Sequence, residues 1–248
     1  MDKMRTIGRI LFVMTLAVLP LEAMAQDTVT EDRVRELVRE TLLENPDILI
    51  EVFAILDQRA AEAETASRAD VIAQQRLLLE QDPNAPVLAN AEGDVTIVEF
   101  FDYNCPYCRR VKPAVEGLIE ADAGVRFVYR EWPILGDGSV FAARAALASR
   151  EQGLYEEFHW ALMGMDGRAE ERSVLMIARE IGLDIEQLRA DMEAPEVEEH
   201  IATSMRLAEL LGVTGTPAFI IGDNLVPGAV EQSLLQAYVD EVRASAVE

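Results

Sequence analysis

The stretch VTIVEFFDYNCPYC, residues 95–108, holds both cysteines of this 248-residue chain. Its first seven residues are apolar or β-branched apart from Glu99, a composition typical of a buried strand. Pro106 follows Cys105 directly and favours the first turn of a helix, where its missing N–H costs nothing. The stretch therefore predicts a buried strand, followed by a helix that Cys105 caps.

The rest of the chain extends this pattern into an α/β sheet. A helix predicted over residues 106–121 leads to VRFVYREW at 125–132, so the two strands should be parallel with a right-handed crossover. The apolar spacing of residues 139–212 is helical throughout. PAFIIGDNLVPGAV at 217–230 then predicts a hairpin that turns at Gly222, Asp223 and Asn224. We expect one sheet whose parallel and antiparallel parts are separated by a helical insertion.

The spacing of Cys105 and Cys108 favours redox chemistry over a structural role. A cysteine at a helix N-terminus faces free amides that stabilise its thiolate, which is the nucleophile in disulfide exchange. We expect this thiolate to be open to other protein chains. Cys108 lies one turn further along the helix, within reach of a mixed disulfide on Cys105. Two cysteines are too few for a disulfide framework.

Metal binding is the alternative interpretation of the same two thiols. A structural zinc site usually has four ligands, and only His159 and His200 could complete one, at a spacing that fits no common zinc pattern. Haem attachment would require histidine where Arg109 stands. Two soft thiolates could hold Cu(I), and the residues alone leave that possibility open.

Two segments resemble the DsbA-like thiol-disulfide oxidoreductases of the thioredoxin superfamily. They are VEFFDYNCPYC at 98–108 and GVTGTPAFII at 212–221. The resemblance implies a thioredoxin fold with an inserted helical domain, no cofactor, and cysteine-containing substrate proteins. It also implies catalytic Cys105 and Cys108, and a buried Glu99 that manages the proton of Cys108. The residues that would shape the active site and bind substrate are Pro106, Tyr107, Thr216 and a cis Pro217.

Two of these residues carry further expectations. Strand alternation alone leaves open whether Glu99 points to the less buried face of the sheet. Tyr107 stands where the strongly oxidising relatives have a histidine. Because tyrosine carries no positive charge at neutral pH, we expect a less acidic Cys105 and a less oxidising potential than in those relatives.

Residues 26–82 contain no glycine and have the spacing of helices. Leu49, Phe53, Leu56, Ala60 and Ala63 recur every four and three residues, a heptad pattern that requires a partner helix. We interpret the segment as a stem that joins two or three copies through residues 27–80. The alternative is that its helices fold back on the chain's own domain. The stem and the Cys-Pro-Tyr-Cys motif together resemble the suppressor-of-copper-sensitivity C and Com1-like branch.

The first 25 residues have the pattern of a signal peptide. Positive residues precede the apolar run 10–19, and Ala23-Met24-Ala25 fits a cleavage site. We therefore expect export to the periplasm, with domains at 1–25 (signal peptide), 26–82 (stem) and 83–248 (thioredoxin domain, insertion about 139–212). The net charge of −23 argues against nucleic acid and anionic membranes as partners. A membrane redox partner is expected because the thiol pair must be returned to its working state.

Overall fold

A computed structural model describes residues 30–246 of the chain. The chain folds as two compact units, which meet in sequence after Asp57. The predicted signal peptide, residues 1–25, lies outside the described residues. Between residues 30 and 246, no helix combines the length and apolarity that crossing a membrane requires.

The first unit is helical and leaves many apolar side chains exposed. Helix α1 spans Glu31–Glu44, and Thr30 caps it by accepting a hydrogen bond from the Arg33 amide. Helix α2 spans Asp47–Gln81 and so begins in this unit. No residue of α1 is buried within the described chain. The most exposed large apolar side chains of the unit are Val38, Leu43, Ile50, Phe53, Ile55 and Leu56.

Five strands form one mixed sheet in the second unit. They are β1 (Val87–Ala89), β2 (Val95–Phe101), β3 (Val125–Glu131), β4 (Ala218–Ile221) and β5 (Asn224–Pro227). The order across the sheet is β1-β3-β2-β4-β5, with β2 and β3 parallel and the other pairs antiparallel. The structure therefore confirms the predicted parallel pair and the C-terminal hairpin.

Helices cover both faces of this sheet. One face carries Ile97 and Phe101 of β2, which pack in a common core with residues of α3 (Pro106–Ala121), α9 (Gln232–Ser245) and the helical insertion. The insertion lies between β3 and β4. Its helices are α4 (Asp137–Ala148), α5 (Tyr155–Gly164), α6 (Glu171–Glu180), α7 (Ile185–Asp191) and α8 (Pro195–Leu210), with a 3₁₀ turn at Ser149–Gln152.

The opposite face is covered in part by the last turns of α2. Ile72 and Leu79 are buried there against Val98 and Phe100 of β2. The structure differs here from the predicted stem, because residues 58–81 belong to the second unit. The heptad pattern could not reveal this, since the surface that buries Ile72 and Leu79 is formed by strands later in the chain.

Arg130 fixes the end of α2 to the sheet. Its guanidinium is fully buried, pairs with Asp82 at 2.6 Å, and donates to the main-chain oxygens of Leu78 and Leu79. A cation at a helix C-terminus satisfies carbonyls that have no partner within the helix. The ion pair therefore connects the buried end of α2 to strand β3.

Strand β1 is the element that the sequence did not indicate. It is three residues long and lies among prolines, asparagines and a glycine that predict a linker. It forms because Val87, Leu88 and Ala89 pair with β3 at the sheet edge.

We predict that Arg130→Met lowers the free energy of unfolding by about 3 kcal/mol, because it leaves Asp82 and the helix carbonyls without their buried partner. Urea unfolding measures the change. The control, Arg189→Met, breaks the exposed pair with Glu171 and should cost less than about 1 kcal/mol. Equal effects of the two substitutions would contradict a special role for the buried pair.

Candidate active site

Cys105 lies where β2 has ended and α3 begins. It is the N-cap of α3, and Pro106 occupies the first helical position as predicted. The main-chain amide of Cys105 donates to the Asp102 carbonyl at 2.9 Å, which closes the turn between strand and helix. The free amides of the first helical turn are thus directed towards the Cys105 sulfur.

The surroundings of Cys105 favour its thiolate. The pKa of Cys105 is lowered from 9.0 to about 5, and a hydrogen bond from the Cys108 thiol is the largest cause. The Thr216 side chain and the amides of Tyr107 and Cys108 contribute to this lowering, whereas burial opposes it. The ionised form of Cys105 is therefore present at neutral pH.

The pKa of Cys108 is shifted in the opposite direction. Burial raises the pKa of the Cys108 thiol far above its usual range, and the hydrogen bond to Cys105 and the charge of Glu99 add to the rise. Cys108 is 1% exposed. The two thiols thus differ in kind: one is an anion at neutral pH, and the other holds its proton until a base removes it.

Glu99 lies on the same face of the sheet as the cysteines. It is 3% exposed, on β2 between Tyr129 of β3 and Phe219 of β4. Burial raises the pKa of Glu99 to about 8, with a further rise from the negative charge of Cys105. A carboxyl group that titrates near neutral pH can exchange a proton with a neighbouring thiol. The less buried orientation that strand alternation left open is not the one adopted.

The cis peptide bond predicted at Thr216–Pro217 is confirmed. In its protonated form the Cys105 thiol donates to the Thr216 carbonyl at 3.2 Å, so this loop lies against the active-site helix although 111 residues separate them in the chain. The sequence motif therefore identified a spatial neighbour of the cysteines.

The Cys105 side chain is less exposed to solvent than the sequence suggested. We expected a thiolate open to other protein chains, but Cys105 is only 4% exposed. The loop at Thr216 and the first turn of α3 surround the sulfur, a packing that depends on residues distant in the chain.

The residues that follow Cys105 differ in exposure. Tyr107 is 52% exposed and its ring lies 4.9 Å from the Arg110 guanidinium, a cation–π contact on the surface beside Cys105. Arg109 instead turns inwards, donating to the main-chain oxygens of Tyr103, Met165 and Gly167. Sequence reasoning missed this contact, because nothing local distinguishes Arg109 from Arg110.

Two further polar residues near the cysteines were also missed. Asn104 exchanges hydrogen bonds with both the N–H and the carbonyl of Ala169 and donates to Ser139. Asp102 is 2% exposed and accepts from the amides of Ile134 and Leu135. The only signal in the sequence is their polarity between a buried strand and the first cysteine.

The two histidines are buried, and each contacts a different polar side chain. His159 Nδ1 lies 3.1 Å from the Tyr103 hydroxyl, and burial lowers the pKa of His159 to about 3. His200 Nε2 lies 2.9 Å from a Glu131 carboxylate oxygen. Over residues 30–246, no group of three or more His, Cys, Asp or Glu side chains is arranged to hold a metal ion.

A family model described as a DSBA-like thioredoxin domain matches residues 96–240, which include both cysteines and the Thr216–Pro217 loop. The chain belongs to the DsbA-like thioredoxin family. Its fold is accordingly a thioredoxin fold with a helical insertion and an N-terminal helical segment, as the resemblance implied. A second model, the N-terminal domain of the copper resistance protein ScsC, matches residues 31–63. The branch inferred from the sequence is thereby confirmed.

Solved structures of DsbA-like proteins resemble this chain. A thioredoxin-like oxidoreductase from Silicibacter pomeroyi is 69% identical, with a TM-score of 0.68, over 68% of this chain and 98% of that one. A linker-deletion variant of Proteus mirabilis ScsC is 28% identical, with a TM-score of 0.65, over 90% of this chain and 99% of that one. The second match extends further because ScsC also has an N-terminal segment that corresponds to part of this chain.

Curated relatives include much longer proteins. The Na(+)/H(+) antiporter NhaA 3 of Salinispora tropica is 32% identical over 173 residues, 68% of this chain but 26% of the antiporter. The chain thus spans about a quarter of the length of the antiporter relatives that it matches first.

We predict that Cys105 titrates with a midpoint near pH 5. The absorbance of the thiolate at 240 nm measures this titration. Because its folded pKa lies below the ordinary 9.0, Cys105 stabilises the reduced protein fully above pH 9. This contribution is lost as pH falls towards 5. Cys105→Ser should therefore cost more free energy of unfolding at pH 9 than at pH 5. A midpoint near 9 would contradict the proposed environment.

Glu99→Gln should slow release of the mixed disulfide at neutral pH, because Cys108 loses the group that accepts its proton. Stopped-flow mixing measures the rate of release.

The raised pKa of Glu99 also makes stability depend on pH. The protonated carboxyl contributes stability below pH 4.5, and this contribution is lost as pH rises through 8. The native protein should therefore lose stability relative to Glu99→Gln over that interval. The exposed Glu92→Gln is the control, and identical behaviour of the two variants would remove the role of Glu99.

Proposed function

We propose that the protein is an exported thiol-disulfide oxidoreductase that exchanges disulfides in other proteins through Cys105 and Cys108. The observation that carries this proposal is the placement of the two thiols: Cys105 caps α3, whereas Cys108 lies one turn inside the helix and is 1% exposed, so that their acidities differ. Exchange requires a nucleophilic thiolate and a second thiol that acts only afterwards, and this pair has both properties.

The reaction proceeds in two steps. The Cys105 thiolate attacks a substrate disulfide, forms a mixed disulfide, and expels one substrate sulfur as a thiolate that takes a proton from water. Cys108 then gives its proton to Glu99 and attacks the Cys105 sulfur. The Cys105–Cys108 disulfide forms, and the second substrate sulfur leaves as a thiolate. The substrate gains two electrons and the enzyme loses them; the reverse sequence oxidises a substrate.

We propose that Pro106, Tyr107, Thr216 and Pro217 shape the surface on which the substrate chain lies. The Thr216 carbonyl oxygen lies 3.2 Å from the Cys105 sulfur, within reach of a chain that approaches the nucleophile. The exposed ring of Tyr107 supplies an uncharged surface on the other side of Cys105.

Isomerase or reductant activity is the direction that we propose. Tyr107 supplies no positive charge to stabilise the thiolate, unlike the histidine at this position in the strongly oxidising relatives, so the reduced form gains less stability. A membrane redox partner would then keep the pair reduced. If the partner instead kept the pair oxidised, the same site would act as a dithiol oxidant.

An oligomer is part of the same proposal. The apolar side chains of residues 34–56 are exposed in the isolated chain, including Phe53 at 62% and Leu56 at 51%. An exposed apolar surface of this kind marks an interaction site, and the heptad spacing of residues 49–63 favours a second or third copy of the chain as the partner. Several active sites brought together could act repeatedly on one misfolded substrate, which favours an isomerase.

The periplasm is the proposed location. The signal-peptide pattern of residues 1–25 and the presence of a redox-active thiol pair support export to an oxidising compartment. The acidic net charge is compatible with a protein that acts on other proteins in solution.

We predict that the reduced protein restores activity to a scrambled multi-disulfide protein, and that Cys105→Ser abolishes this. Phe53→Asp should reduce both the oligomer mass in light scattering and the isomerase rate, whereas Met176→Asp, at an exposed apolar position of the second unit, should change neither. A Cu(I) titration of the reduced protein, run in parallel with the refolding assay, tests whether the two thiols bind copper. Tight copper binding without refolding activity would favour the copper-binding alternative.

A further inference from the structure

Arg109 and Arg110 are consecutive residues of α3 with different surroundings. The Arg110 side chain is exposed, and its guanidinium lies over the Tyr107 ring. The Arg109 side chain is partly buried, and its Nε donates to the Tyr103 carbonyl at 3.0 Å. Its Nη1 donates to two main-chain carbonyls of the helical insertion. One arginine of the pair therefore faces solvent, whereas the other is held inside the fold.

The Arg109 guanidinium is a cation whose hydrogen bonds do not go to carboxylates. Within residues 30–246, its three bonds go to neutral carbonyl groups, and its Nη2 is buried without a hydrogen-bond partner. Arginine keeps its charge at every pH at which proteins fold. Burying a cation is costly unless opposite charge or polar groups compensate it. The carbonyl dipoles supply part of this compensation and leave the net charge of the group in place.

The Cys105 thiolate forms one helical turn from this cation. The Arg109 amide donates to the Cys105 carbonyl at 3.2 Å, a hydrogen bond of the first turn of α3. Residues four apart on a helix lie on the same side of it. The Arg109 side chain also binds the carbonyl of Tyr103, two residues before the nucleophile. The main chain and the side chain of Arg109 therefore both hold the turn that carries Cys105.

Other charged groups also act on Arg109. Burial lowers the pKa of Arg109, and the positive charge of Arg168 adds to this fall. Negative charge on Asp102, Asp166 and Cys105 opposes it. Asp102, Asp166 and Arg168 take no part in the redox reaction, whereas the charge on Cys105 disappears when the disulfide forms. The redox equilibrium therefore reports the interaction of Arg109 with Cys105 separately from the other charges.

We propose that Arg109 is a positioning residue that stabilises the reduced form of the protein by holding a fixed positive charge at the cysteine turn. In the reduced protein this charge attracts the Cys105 thiolate; in the oxidised protein the disulfide is neutral, and the attraction is lost. Arg109 thereby makes the pair more oxidising. It supplies part of the positive charge that Tyr107 does not. The role of Arg109 rests on the proposed exchange through Cys105 and Cys108.

The equilibrium with glutathione measures this effect. Oxidised glutathione takes two electrons from the reduced protein, which gives two glutathione thiols and the Cys105–Cys108 disulfide. Arg109→Gln removes the charge and should lower the ratio of reduced to oxidised protein about tenfold at a fixed glutathione potential. This fold-change corresponds to about 30 mV for a two-electron couple. Arg109→Met is a second uncharged variant that tests the same expectation if Arg109→Gln does not fold.

Two further variants separate charge from other effects. Arg109→Lys keeps the charge but loses the planar fork that binds several carbonyls, so its equilibrium should stay within about threefold of the native one. Arg110→Gln is the matched control. It removes an exposed charge that water and salt screen, and it should change the equilibrium less than about twofold. An unchanged equilibrium in Arg109→Gln, or an equal effect of Arg109→Lys or Arg110→Gln, would overturn the role of Arg109.

The titration midpoint of Cys105 tests the same charge without any exchange reaction. In the reduced Arg109→Gln variant it should rise by about one pH unit, because the thiolate has lost a neighbouring cation. An unchanged midpoint counts against Arg109 even if exchange with glutathione proceeds. If the native protein does not exchange with glutathione, the proposed function fails, whereas a raised midpoint in Arg109→Gln still supports the effect of Arg109 on the thiolate.

Discussion

The chemistry of this protein depends on the position at which α3 begins. Because the helix starts at Pro106, the free amides of its first turn are directed to Cys105, while Cys108 lies one turn further inside. Identical side chains thereby acquire opposite properties: the pKa of Cys105 is lowered and that of Cys108 is raised. The order of the two exchange steps follows from this difference, and Glu99 beneath them supplies a carboxyl that titrates near neutral pH.

The helical insertion is attached to the active site largely through main-chain atoms. Asp102 binds amides at the start of the insertion, Asn104 binds both polar groups of Ala169, and Arg109 binds carbonyls at Met165 and Gly167. Main-chain groups are present whatever the side chain, so the attachment hardly depends on the composition of the insertion. The cysteine turn is therefore held in place independently of the surface side chains of the insertion.

The described N-terminal residues divide between two environments. Residues 30–57 expose an apolar surface, whereas Ile72 and Leu79, further along helix α2, are buried against the sheet. The buried pair of Arg130 and Asp82 holds the end of that helix.

Local pattern was sufficient to predict β2 and α3, because apolar spacing and proline act on neighbouring residues, whereas the cis Thr216–Pro217 turn was predicted from the resemblance to the DsbA-like family. Three features depended on tertiary structure. Burial of Ile72 and Leu79 requires a sheet face assembled later in the chain, and β1 exists only by pairing with β3. Asp102, Asn104 and Arg109 bond to groups between 32 and 65 residues away. No local spacing encodes such contacts, since they form only when the folded chain brings those main-chain groups beside the active site.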